Sequence, residues 1–244
     1  MIKCFLILIN FSMFLYSSQQ IILVVADDFN TSKAKLECFE DGKKVFNTLD
    51  VNLGKKGLGW GLGETILQQK KSDILKYEGD KKAPAGIFKL TSIFGYAPHM
   101  DVKMPYLHTS KNLICVDDSN NKSYNKIISM QNNKPKSFEY MKRDDLQYEL
   151  GIVVEHNKDA IKQRGSCIFI HVQKSKNAGT AGCTSMTLNE LKQITTWLDK
   201  KKNPILIQIP YSSSKEILKL FPQLKSSSLL RLPQAYHPFL KSSV

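Results

Sequence analysis

Apolar positions along this chain gather into short runs rather than long helical stripes. Ile21–Ala26, IILVVA, is an unbroken apolar run of strand length. Ala34–Gly54 holds two β-like segments on either side of Asp41-Gly42, a dipeptide suited to the positive φ angles of a tight hairpin. Ala85–Tyr96 alternates apolar with polar positions and ends in a glycine turn. Gly151–Asn157, Gly165–Val172 and Asn203–Pro210 add further apolar runs, the last closed by Pro210. Helical spacing is rarer. Within Thr187–Lys202, Leu191, Ile194 and Leu198 repeat at helical intervals, Thr187 can cap, and Glu190 follows at the position a capping box needs. Ser213–Leu224 is a shorter helical candidate, interrupted by Pro222. The pattern predicts a mainly β fold with a few helices, of the α+β class. Ala97–Asn133 scatters prolines, asparagines and aspartates around NLICVDD and reads as a long excursion over the β scaffold, of the kind that forms lids and binding loops. Ser226–Val244 reads as a peripheral tail.

The N-terminus has a different character. Lys3 precedes an apolar run from Cys4 to about Tyr16, and serines and glutamines follow. Residues 1–18 therefore read as a secretory signal peptide, with an uncleaved anchor as the alternative. The run is short for a spanning helix, which needs about 20 apolar residues. The remaining chain divides into a domain over 19–210 and an extension over 211–244.

Charge and cysteine content narrow the partners. Lys and Arg number 35 against 22 Asp and Glu, a formal net charge of +13, so anionic partners are favoured: an acidic wall polymer or a membrane face. Nucleic-acid recognition is disfavoured, because the only arginines are Arg143, Arg164 and Arg231 and no arginine-rich cluster with interleaved aromatics occurs. The five cysteines, Cys4, Cys38, Cys115, Cys167 and Cys183, contain no Cys-x-x-Cys pair, which argues against zinc and thioredoxin-like chemistry. Export would permit disulfides, but the spacing specifies none. His99, Asp101 and His108 match no common zinc pattern, and the glycines of GLGWGLG lack a phosphate-loop lysine, so neither a metal nor another cofactor is expected.

The stretch Phe169–Met186, FIHVQKSKNAGTAGCTSM, carries the chemistry. Strand alternation sets Cys167, Phe169 and His171 on one face and Ile168, Ile170 and Val172 on the other. The second face is wholly apolar and belongs to the core, which leaves His171 on the opposite face and Cys167 as a small buried hydrophobe. Cys183 follows a glycine and precedes the cap of the predicted helix, where a helix dipole would favour thiolate. Backbone amides around Gly182 and Cys183 could face a developing oxyanion. Two readings stand side by side: a nucleophile with its base, or an inert buried thiol beside a satisfied core histidine.

The same stretch resembles the catalytic signature of the L,D-transpeptidase (YkuD-type) family, in which a strand histidine is followed after a loop by a Ser/Thr-x-Gly-Cys block. Thr180, Ala181, Gly182 and Cys183 match that block and His171 matches the histidine. Lys55–Glu64, KKGLGWGLGE, and Glu78–Leu90, EGDKKAPAGIFKL, resemble the sequence before the block, and Trp197–Pro210 resembles the helix and closing strand after it. The similarity spans roughly Ile21 to Pro210. Many members have a histidine just before Gly-Cys and an asparagine-arginine pair after it; Ala181 and Thr184–Met186 stand there instead.

The resemblance implies a β-sandwich or barrel and an exported enzyme of the periplasm or cell envelope acting on peptidoglycan stem peptides. Cys183 would attack the carbonyl between an L-centre and D-alanine, His171 would move the proton, and an amine would resolve the thioester. Hydrolysis, as an L,D-carboxypeptidase or amidase, is the alternative outcome, and a wall-binding module without catalysis is another. Ala181 and Gly182 would serve the oxyanion, and the Val172 carbonyl would orient the imidazole. Thr180, Thr184, Tyr106, Asp117 and His156 are the candidate substrate contacts, although His156 also fits a satisfied surface histidine.

Overall fold

The computed structural model describes residues 18–64, 67, 73–130 and 134–231. The signal-peptide reading of residues 1–18 therefore lies outside the described residues except for Ser18. Among the described residues no helix is long and apolar enough to cross a membrane.

The apolar runs of the sequence become strands. In chain order they are β1 (Gln20–Ala26), β2 (Lys33–Glu40), β3 (Lys43–Lys44), β4 (Leu49–Asn52), β5 (Leu58–Trp60), β6 (Ala83–Gly95) and β7 (Tyr106–His108). Then follow β8 (Leu113–Val116), β9 (Ile127–Ser129), β10 (Phe138–Tyr140), β11 (Leu150–Val154), β12 (Phe169–Val172), β13 (Thr184–Met186) and β14 (Ile205–Pro210). Helices α1 (Leu188–Trp197) and α2 (Ser214–Leu220) complete the set with short 3-10 turns.

The large sheet runs β1-β14-β6-β11-β12-β13-β4-β2, and β2 pairs back onto β1, so the path closes on itself as a barrel. Closure removes most sheet edges and explains why β1 is buried at every position, with both of its faces covered. Ile22, Leu23, Val24, Leu36, Ile207 and Ile209 sit in the resulting core. The hairpin at Asp41-Gly42 forms with φ values of 51° and 78°, the pair of positive angles that lets β2 turn into β3. Helix α1 carries the full capping box: the Glu190 amide donates to the Thr187 hydroxyl, and the Glu190 carboxylate accepts from the Thr187 amide.

Three expectations need correction. The excursion over Ala97–Asn133 is not an open loop: β8 pairs with β9 and β10 as a separate antiparallel sheet. Its turn-forming residues connect short strands whose alternation was too brief to read. The segment taken as a tail starts tied down, because the Ser227 and Ser228 hydroxyls donate to Glu37 at 2.6 Å each and Leu230 is buried. Finally, Cys167 is no simple small hydrophobe; it is disulfide-bonded to Cys115. That bond ties β8 of the small sheet to the residues leading into β12.

Candidate active site

Strands β12 and β13 lie parallel, with Ile170 opposite Thr184 and His171 opposite Ser185. Continuing this register by one residue sets Cys183 beside Phe169, and alternation puts Phe169, His171, Cys183 and Ser185 on one face. The Phe169 amide donates to the Cys183 sulfur at 3.4 Å, and the thiol donates to the Cys167 carbonyl at 3.5 Å. His171 and Cys183 both line a cavity of about 600 Å3.

The face carrying His171 is buried as well as the apolar one. Cys167, Phe169 and Cys183 pack in a second cluster with Phe94, Cys115, Met141 and Tyr148, so β12 is covered on both sides. Residues from the excursion and the chain beyond it supply that cover, which is why periodicity within β12 alone could not reveal it.

His171 Nδ1 lies 2.8 Å from the Val172 carbonyl oxygen. A carbonyl only accepts, so Nδ1 carries the proton, and in the neutral ring Nε2 keeps its lone pair. The Tyr148 ring meets the imidazole edge-on at 5.3 Å, and its hydroxyl donates to Glu139 at 2.5 Å. Burial pushes the imidazole down to about 4, against the opposing pull of the Val172 bond. Burial, followed by the Glu139 charge, pushes the Cys183 thiol up to about 12. At rest, the thiol and the imidazole that share the cavity are thus both neutral. The expected thiolate at a helix start is corrected: β13 separates Cys183 from α1, and desolvation outweighs any distant dipole.

Thr180, Ala181, Gly182 and Asp117 share the cavity. The Thr180 hydroxyl donates to the Cys183 carbonyl at 2.6 Å and accepts the Gly182 amide at 3.1 Å. Gly182 therefore has its N–H committed inside the turn, which removes it as a ready oxyanion donor and leaves the amides of Ala181 and Cys183 as the candidates. Asp117 Oδ1 is buried with no hydrogen-bond partner among the described residues. Its neighbours in the cavity include Glu78 and Glu139.

The remaining candidates lie elsewhere. Tyr106 donates its hydroxyl to the Ala97 carbonyl at 2.6 Å and does not line this cavity. Thr184 points to the barrel interior and donates to Gln208 at 2.6 Å, as alternation from Cys183 requires. His156 accepts from the Leu62 amide at 3.2 Å through Nδ1, and Nε2 lies 2.8 Å from the Arg164 carbonyl. Both nitrogens are satisfied, Phe88 packs edge-on against the ring, and burial pushes its pKa down to about 4. The ring is satisfied, but it is buried rather than at the surface where the sequence reading set it.

Sequence reasoning passed over Lys76, Glu139, Arg143, Asp145 and Tyr148, all of which line the cavity. Arg143 binds Asp145 bidentately, at 3.0 Å from Nε and 2.6 Å from the terminal nitrogen, and its guanidinium covers the Tyr148 ring at 5.0 Å. The Arg143 bond holds the Asp145 carboxyl down to about 2. Arg143 is one of only three arginines in a lysine-rich chain, and that rarity was a usable signal. Nothing local marked Glu139 or Tyr148.

The family model described as YkuD, L,D-transpeptidase catalytic domain, matches residues 22–207. No curated protein matches the chain. Among solved structures, the helical cell shape determining protein Pgp2 from Campylobacter jejuni is similar at 15% identity with a TM-score of 0.38. The alignment covers 78% of this chain, which spans 47% of that protein.

Proposed function

We propose that this chain, which belongs to the L,D-transpeptidase (YkuD) catalytic-domain family, is a cysteine acyltransferase of peptidoglycan stem peptides that uses Cys183 as nucleophile and His171 as base. The observation that carries the reading is the placement of the two side chains on one face of adjacent parallel strands, lining one cavity, with the free imidazole nitrogen set by the Val172 carbonyl.

In this mechanism His171 Nε2 takes the Cys183 proton as sulfur attacks the carbonyl between an L-centre and a D-residue. The C–S bond forms and the carbonyl electron pair moves to oxygen. Collapse of that oxyanion restores the carbonyl and breaks the C–N bond, and the leaving amine takes the proton from His171. A second amine then resolves the thioester to give a crosslink, and water would give a trimmed peptide instead. The neutral resting pair means that thiolate forms during attack rather than beforehand. A wall substrate implies work outside the cytoplasm, which accords with the signal-like residues 1–18, and the basic surface suits an anionic wall or membrane face.

Muropeptide analysis of isolated wall material treated with wild type or Cys183→Ala tests this. New bonds between third-position residues, absent with the variant, support transpeptidation. Loss of a terminal D-residue without new bonds supports hydrolysis. Identical patterns with both proteins would overturn the catalytic reading.

A further inference from the structure

Lys76 is a buried cation in the cavity that the mechanism above does not use. Its side chain is 3% exposed. An ammonium has three N–H donors. Two are spent, on the Tyr77 carbonyl at 2.5 Å and on Asp80 Oδ1 at 2.6 Å. The third has no partner among the described residues.

The position of the head group is built, not incidental. Asp80 also accepts the Tyr77 amide at 2.7 Å and the Lys82 amide at 2.9 Å, which locks the turn carrying the ion pair. The aliphatic stem lies along Gly165, where a Cβ would come within 3.2 Å of Cε and 3.3 Å of Cγ. At the other end, a Cβ placed on Gly182 would lie 3.8 Å from Nζ. Stem and turn together aim the ammonium at the residue preceding the nucleophile. There, the Gly182 amide is already committed to Thr180.

We propose that Lys76 stabilises the negative charge that forms at Cys183, first on sulfur and then on the oxygen of the tetrahedral intermediate, in place of the amide that Gly182 withholds. The inference rests on the proposed acyl-transfer chemistry at that site. Of the cations acting on the thiol, Lys76 lowers its pKa more than Arg143 does, against the stronger opposing charge of Glu139. The groups opposing it are Glu139 from β10 and Asp80, with Glu78 and Asp117 on the cavity wall. His171 and Tyr148 line the cavity as neutral groups, Arg143 is tied to Asp145, and Arg164 and His156 lie near the lysine.

The test reads the thiol without substrate: peptide-resolved alkylation of Cys183 by iodoacetamide across pH, in the full chain. Lys76→Met is expected to move the alkylation midpoint upward and slow alkylation at neutral pH about tenfold, while Lys76→Arg restores it. Asp80→Asn, which removes the opposing anion and keeps one oxygen acceptor, is expected to move the midpoint downward. A structural role would shift both variants the same way. An unchanged midpoint in folded Lys76→Met overturns the proposal. If Lys76→Met does not fold, Asp80→Asn decides, and an unchanged or raised midpoint overturns it. On the substrate side, a loss in kcat with KM retained is expected for Lys76→Met. Midpoints that move as stated while wild type leaves wall material unaltered would uphold Lys76 and overturn the stem-peptide substrate instead.

Discussion

At the residue scale, the cavity joins two groups whose burial favours their neutral forms. The imidazole, held down to about 4, stays neutral throughout the neutral range, as the proposed base must, and protonates only as pH falls through that value. Catalytic rate is therefore expected to be flat near neutrality and to fall in strong acid, in a pH–rate profile of the wild type. Glu139 is the largest electrostatic opponent of Cys183 ionisation, after burial itself. Glu139→Gln is expected to lower the alkylation midpoint of Cys183, because it removes that anion while keeping an acceptor for the Tyr148 hydroxyl. A midpoint that stays in place would show that desolvation alone governs the thiol.

At the scale of elements, the Cys115–Cys167 disulfide couples the small sheet to Cys183. It closes a separation of 52 residues, and the Cys167 carbonyl accepts the Cys183 thiol. Removing it as Cys115→Ser/Cys167→Ser is expected to cost about 4 kcal/mol by loop entropy, and to slow turnover by loosening the carbonyl that seats the thiol. Denaturant unfolding and steady-state rates check the two parts. Helix α1 offers a cleaner local case. Thr187→Ala removes a hydroxyl that accepts the Glu190 amide and is expected to cost about 1 kcal/mol. The capping box and the Asp41-Gly42 hairpin were legible in the sequence because both depend on a few residues close along the chain. The small sheet was not, since strands of three or four residues carry too little alternation to stand out from turn-rich surroundings.

For the whole molecule, two buried histidines set the response to acid. His156 and His171 both have pKa values near 4 in the fold, below the ordinary 6.5. Between those values the unfolded chain binds protons that the fold refuses, so stability is full above about 6.5 and falls as pH drops toward 4. Each histidine is expected to withdraw up to about 3 kcal/mol at the acid end of that window. Thermal melts across the interval, compared between wild type and His156→Gln, check the direction: the variant should lose less on acidification.

Local sequence determined the strand runs, the hairpin, the capped helix and the His171–Cys183 candidate pair, because each rests on periodicity, turn chemistry or a short motif. Only the tertiary structure decided what surrounds that pair. Burial of both faces of β12, the disulfide, the engaged Gly182 amide and the approach of Lys76, Glu139 and Arg143 arise from segments far apart in the chain. Desolvation and Coulomb interaction depend on distance in space, and those distances exist only once the barrel has closed.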